Sequence, residues 1–257
     1  MTDIKLLKGD CVELLPTLES KSIDCIITDL PYQMTDCVWD AVIPFDFMWS
    51  EFKRLVKPKG AMVFTCSQPF TTLLVNSNMK QFKHEWIWEK HQGTNPMAAS
   101  YAPMKCHESV VVFCDGSPNY YPQMEKGTPY SGFKGEKGIG EIYGDNLKSE
   151  HRDNPEGSRY PRSVQYFKGE KGLHPTQKPV ALMEYLVKTY SKENDVVLDI
   201  TMGSGTTGIA CFNVDRNFVG IERDEEYYKV CVERLEEAKK TKKEIERKSS
   251  GLRRFVK

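Results

Sequence analysis

Val196-Val197-Leu198-Asp199-Ile200 runs directly into Thr201-Met202-Gly203-Ser204-Gly205-Thr206-Thr207 and then into an apolar segment, Ile209-Ala210-Cys211-Phe212. The β-branched run reads as a buried strand, the glycines as a tight turn and the apolar segment as the start of a helix. The next strand, Phe218-Val219-Gly220-Ile221, closes on Glu222, 17 residues beyond Gly205. Strand, glycine turn, helix, strand and acid compose the nucleoside-binding half of a doubly wound α/β fold. Glycine lets backbone approach a ligand closely, a helix N-terminus favours an anionic group, and the acid can accept from ribose hydroxyls. The pattern leaves NAD, a nucleotide and S-adenosylmethionine open, while the absence of a following Gly-Lys-Ser/Thr disfavours a P-loop.

Upstream, the chain alternates strands with helices. Ile4 to Leu7 is a short strand, followed by Gly9-Asp10-Cys11 and the helical spacing of Val12, Leu15 and Leu18. Ile23 to Thr28 is a second strand. Trp39-Asp40 precedes an amphipathic helix from Phe45 through Leu55, stopped by Lys57-Pro58-Lys59-Gly60. Ala61 to Thr65 is a strand that ends in Ser67-Gln68-Pro69-Phe70, and a helix through Leu73-Leu74-Val75 follows. Glu85 to Lys90 and Ser109 to Phe113 are strands with a loop from Gln92 to Cys106 between them. A helix through Leu182, Leu186 and Val187 ends near Ser191, and a charged helix runs from Tyr227 to about Lys239. Such alternation predicts a doubly wound, mostly parallel sheet.

The strand ending at Thr28 delivers Asp29-Leu30-Pro31-Tyr32. An acid, a rigid proline and an aromatic ring at the carboxyl edge of a strand form a polar pocket with a stacking wall, at the edge where ligands sit in open α/β sheets.

Composition sets the limits. At 257 residues the chain can bury a full core. It has no apolar run of about 18 residues and no basic-then-apolar N-terminus, so neither a membrane span nor a signal peptide is expected, and a cytoplasmic, nucleoid-associated location is. Eight cysteines are scattered without a CxxC pair and read as reduced, structural thiols. Cys106, His107 and Cys114 lack a second pair with ligand spacing, so no metal is expected. Formal net charge is zero, which argues against nonspecific coating of nucleic acid. The span 239–257 differs: nine basic residues face only Glu244 and Glu246, a surplus suited either to phosphates or to a solvated helix end.

From Asp115 to Gly172 the chain turns dense in Gly, Pro, Tyr, Lys and Arg without sustained periodicity, and reads as an insertion or small subdomain. It holds Phe-Lys-Gly-Glu-Lys-Gly twice, at 133–138 and 167–172, too few copies for a repeat architecture. Arg152, Arg159, Arg162 and Tyr160 supply the guanidinium and aromatic groups that nucleic-acid contacts use. Regular structure resumes at His174-Pro175-Thr176-Gln177-Lys178-Pro179.

Asp-Leu-Pro-Tyr after a strand, His-Pro-Thr-Gln-Lys-Pro before a helix and Asp-Ile-Thr-Met-Gly-Ser-Gly-Thr-Thr near the C-terminus, in that order, resemble the β class of amino DNA methyltransferases, adenine-N6 or cytosine-N4 specific. The resemblance spans residues 4 to about 238. It implies a Rossmann-like S-adenosylmethionine-dependent methyltransferase fold with a catalytic half at 1–114, an inserted target-recognition region at 115–172, a cofactor-binding half at 173–238 and a basic tail at 239–257. Asp29, Leu30, Pro31 and Tyr32 are then the catalytic stretch. Asp10 and Cys11 face the cofactor adenine; Thr176, Gln177 and Lys178 its methionine end; Asp199, Thr201, Met202, Gly203, Ser204, Gly205 and Thr206 its loop; and Glu222 its ribose. Leu30 stands where the family has Pro, and Met202 where Phe is commoner.

The implied reaction is methyl transfer from S-adenosylmethionine to the N6 amino group of adenine in double-stranded DNA. Asp29 and the Leu30 carbonyl each take one amino hydrogen, and Tyr32 stacks on a base flipped from the duplex. Asp at position 29 favours adenine, because the cytosine enzymes resembled here more often carry Ser. Cytosine-N4 methylation is the alternative, followed by a noncatalytic DNA-binding protein on the same fold. The resemblance also raises a homodimer and a cognate restriction endonuclease as partners.

Overall fold

The computed structural model describes residues 2–32, 43–133, 151–170 and 177–252. Trp39-Asp40, most of the first Phe-Lys-Gly-Glu-Lys-Gly copy, the end of the second, Thr176 and the last five residues of the tail lie outside them.

Two compact units divide the chain, 1–121 with 163–257 and, separately, 122–162. The large unit holds an eight-stranded sheet. In chain order its strands are β1 (Ile4–Lys8), β2 (Cys25–Asp29), β3 (Met62–Cys66), β4 (Phe82–Thr94), β5 (Lys105–Phe113), β10 (Val164–Tyr166), β11 (Val196–Asp199) and β12 (Asn217–Glu222). In space they follow β1-β12-β11-β2-β3-β5-β4-β10, and β5 alone among them runs antiparallel to its neighbours. The helices are α1 (Cys11–Leu14), α2 (Phe45–Leu55), α3 (Phe70–Ser77), α4 (Val180–Tyr190), α5 (Thr206–Asn213) and α6 (Glu225–Leu252). Among the described residues no helix is long and apolar enough to cross a membrane.

The central strands are buried on both faces, which is why they read as unbroken apolar runs rather than as alternation. Period two still sorts their side chains. Ile26, Phe64 and Leu198 join a core with Met48, Phe52 and Leu55 of α2. Cys25, Ile27, Val63 and Val197 join a second core with Leu186 and Tyr190 of α4 and Ala210 of α5. Gly208 lets α5 lie close on β12, since a Cβ there would stand 2.8 Å from the Phe218 ring.

The loop expected from Gln92 to Cys106 is shorter in fact. Strand β4 runs on to Thr94 and β5 begins at Lys105, with Thr94 opposite Lys105. The polar residues that masked these strand ends form arms extending past the core, where apolar alternation is not required. The expected insertion also divides. Asn119 and Tyr121 donate backbone bonds to Lys59 and Thr189, and Val164 to Tyr166 pair with β4, all within the large unit. Among the described residues the small unit carries two two-stranded sheets, β6 (Glu125–Lys126) with β9 (Ser158–Arg159) and β7 (Tyr130–Phe133) with β8 (His151–Asn154).

Candidate active site

The sheet reverses its winding between β11 and β2, and the carboxyl ends of β1, β12, β11 and β2 open there into one cavity of about 1120 Å³. A crevice at such a switch point is where open α/β sheets bind ligands. Asp10, Cys11, Asp29, Leu30, Pro31, Tyr32, Gln177, Lys178, Asp199, Thr201, Met202, Gly203, Ser204, Thr206 and Glu222 all line it. Gly205 stands behind the lining, and Thr176 is outside the described residues.

The glycine turn is held from below. Asp199, at the end of β11, is buried and accepts from Thr28 Oγ1 at 2.8 Å, Thr207 Oγ1 at 2.7 Å and the Thr201 amide at 3.1 Å. Burial pushes its carboxyl up to about 6, against the pull of those hydrogen bonds. Gly205 takes a φ of 79°, and a Cβ there would stand 2.3 Å from Cys231 Sγ. Arg234 of α6 donates to the Ser204 carbonyl at 2.6 Å and to its hydroxyl at 2.9 Å. Glu222 accepts from the Gly203 amide at 2.8 Å and the Asp224 amide at 2.7 Å, while burial raises its pKa. Across the cavity floor Asp10 caps α1 by accepting from the Val12 amide at 2.8 Å. Burial pushes the neighbouring Cys11 thiol up to about 12, so it contributes shape rather than nucleophilicity.

Asp29 is the last residue of β2. Its Oδ1 accepts from Tyr32 Oη at 2.5 Å and Thr65 Oγ1 at 2.6 Å, and its Oδ2 lies 2.5 Å from Lys178 Nζ. Thr201 Oγ1 donates to the Asp29 carbonyl at 2.9 Å, joining the acid to the glycine turn. Tyr32 stacks on Phe70 at 4.8 Å, which covers one face of the ring. Its phenol is pushed well above the usual range by burial and by Asp29, so it stays a donor. Lys178 is buried between two acids, with Glu108 Oε2 at 3.6 Å. Burial works against its charge, but Asp29 and Glu108 outweigh it and raise the pKa.

Lys178, assigned by resemblance to the cofactor's methionine end, thus has its ammonium on the acid of the catalytic stretch. Thr65, Lys90, Lys105 and Glu108 were missed. Thr65 reaches Asp29 because the two are register partners on β3 and β2. Glu108, paired with Lys90, sits opposite Trp88 on β5. The one signal for it was a charged residue at the head of an apolar strand, His107-Glu108-Ser109-Val110. In the small unit Arg159 lies over the Tyr130 ring at 4.7 Å and bonds to the Thr128 and Ser158 carbonyls, so its guanidinium is used internally. Tyr160 is 73% exposed and Arg162 is exposed, while Arg152 belongs to β8. Among the described residues no three His, Cys, Asp or Glu side chains are grouped to hold a metal ion.

A family model described as DNA methylase, of the N6/N4 type, matches residues 23–233. The Type II methyltransferase M.HpaI of Haemophilus parainfluenzae is 26% identical over 91% of this chain and 74% of its own length. The Type II methyltransferase M.HinfI of Haemophilus influenzae is 29% identical over 94% of this chain and 70% of its own. The crystal structure of an M1.HpyAVI–SAM complex superposes with a TM-score of 0.64 at 26% identity, covering 90% of this chain and 99% of that one.

Proposed function

The chain belongs to the N6/N4 family of S-adenosylmethionine-dependent DNA methylases, and from this premise we propose that it methylates the N6 amino group of adenine in double-stranded DNA. The observation that carries the reading is that the Asp29 acid and the glycine turn share one cavity, tied together by the Thr201 bond.

The residues present fit the cofactor. Glu222 retains lone pairs for ribose hydroxyls after accepting two amides. Asp10, Gln177 and the backbone from Thr201 to Ser204 surround the same space. When bound, S-adenosylmethionine supplies an electrophilic methyl group.

The protein's part is to prepare the amine. The lone pair of an exocyclic amino group is delocalised into the ring, and hydrogen bonds to both amino hydrogens localise it on nitrogen. Asp29 takes one hydrogen with a lone pair left free by its three partners, and the Leu30 carbonyl takes the other. Tyr32, backed by Phe70 on one side, offers its second face to the flipped base. Fixing both reactants in contact contributes on the order of several kcal/mol. Asp rather than Ser at position 29 supports adenine over cytosine. The 115–172 segment reads the DNA sequence, with Tyr160 and Arg162 its exposed candidates, and the Type II relatives support a restriction-linked role. Mass spectrometry of nucleosides from treated DNA tests the base: 6-methyladenine is expected, and 4-methylcytosine would replace this reading with the cytosine-N4 one.

A further inference from the structure

We propose that the turn between β4 and β5 is a wedge that enters the duplex beside the target base, an inference that rests on the base-flipping reading above. The turn is closed by its own backbone hydrogen bonds. The Ala98 amide donates to the Asn95 carbonyl at 3.2 Å, the Ala99 amide to Pro96 at 3.2 Å, and the Tyr101 and Ala102 amides to Ala98 at 3.0 and 2.9 Å. Ala98 itself is buried and pins the turn. On this hydrogen-bonded turn Met97 is 91% exposed and Tyr101 82%. Large apolar side chains presented together by an ordered element mark a surface that a partner covers.

Continuity with the reaction cavity identifies the partner. Thr94 and Lys105, the strand residues that bracket the turn, line the cavity together with Asp29. Thr94 Oγ1 donates to the Lys105 carbonyl at 3.0 Å, closing the base of the turn. The Lys105 ammonium donates to the Ser67 hydroxyl. Lys90, paired with Glu108, and His91 line the same wall. A lysine at the base of an apolar tip is complementary to a nucleic acid, Lys105 meeting a phosphate and the tip meeting bases. A base leaving the duplex opens a gap in the stack, and an inserted apolar side chain offsets part of the lost stacking. A flexible thioether and an aromatic ring suit that gap.

The test compares wild type, Met97→Ala, Tyr101→Ala and the double variant on a duplex carrying the sequence the wild type modifies. A second substrate has an abasic site opposite the target base, where extrusion costs less. Both side chains are exposed, so the variants should fold, and calorimetric S-adenosylmethionine affinity checks that they have. The double variant should lose about tenfold or more in kcat/KM on the matched duplex and stay within about twofold of wild type on the abasic one. Equal losses on both substrates, or none on the matched duplex, would overturn the wedge. A change of oligomeric state on sedimentation would assign the turn to a second copy of the chain and overturn it as well. Methylation by the wild type tests the functional reading separately, whatever the variants do.

Discussion

A carboxylate that must orient an amine has to be oriented itself, and Asp29 is gripped by a phenol, a hydroxyl and an ammonium. The part assigned to residue 30 is played by its backbone, so Leu30→Pro should retain methyl transfer within a few fold, since proline mainly fixes φ. A large loss in steady-state turnover would count against that assignment. Asp199 is a different kind of acid, buried for structure. Its folded pKa of about 6 exceeds the ordinary 3.8 of an aspartate, so the folded state binds the extra proton between those values and stability falls as pH rises from about 4 to 6. The fall is on the order of 3 kcal/mol at most. Asp199→Asn should flatten that slope in urea titrations at pH 5 and 7 while keeping one oxygen to accept from either Thr28 or Thr207, which bond to different carboxylate oxygens. An unchanged slope would show that other groups set it.

At the scale of elements, the glycine turn couples backbone strain to packing. Gly205→Ala adds a methyl 2.3 Å from Cys231 Sγ at a φ of 79°. It should cost about 2 kcal/mol or more and weaken S-adenosylmethionine binding in calorimetry. Adding Cys231→Ala should remove the sulfur contact but leave the 3.1 Å approach to Cβ and the φ part, so the double variant is less damaged than the sum of the singles. This turn and the Asp29 stretch were legible in the sequence because their chemistry sits in consecutive residues bounded by strand and helix signals. Thr65 and Glu108 were not. They arrive through strand pairing, Thr65 opposite Asp29 and Glu108 opposite Trp88, and apolar runs do not say which strands pair or in what register. The ends of β4 and β5 were hidden for a related reason, since beyond the core they carry polar residues that read as loop.

Across the whole molecule, the two cores that flank the sheet draw all their buried residues from the large unit. The doubly wound layout was readable from alternation alone, whereas the antiparallel β5 was not, because strand direction leaves no mark on side-chain pattern. Replacing 122–162 with a Gly-Ser linker should leave cooperative unfolding and S-adenosylmethionine binding intact. Sequence-specific methylation should be lost, as read by modified-base sequencing; retained specificity would move target recognition elsewhere. The central claim, that Asp29 serves transfer to adenine N6, is tested most directly by nucleoside mass spectrometry of DNA from cells expressing wild type or Asp29→Ala, with cofactor binding of both purified proteins measured alongside. The account predicts 6-methyladenine from the wild type alone and S-adenosylmethionine binding by both. Near-normal methylation by Asp29→Ala, or 4-methylcytosine from the wild type, would contradict it.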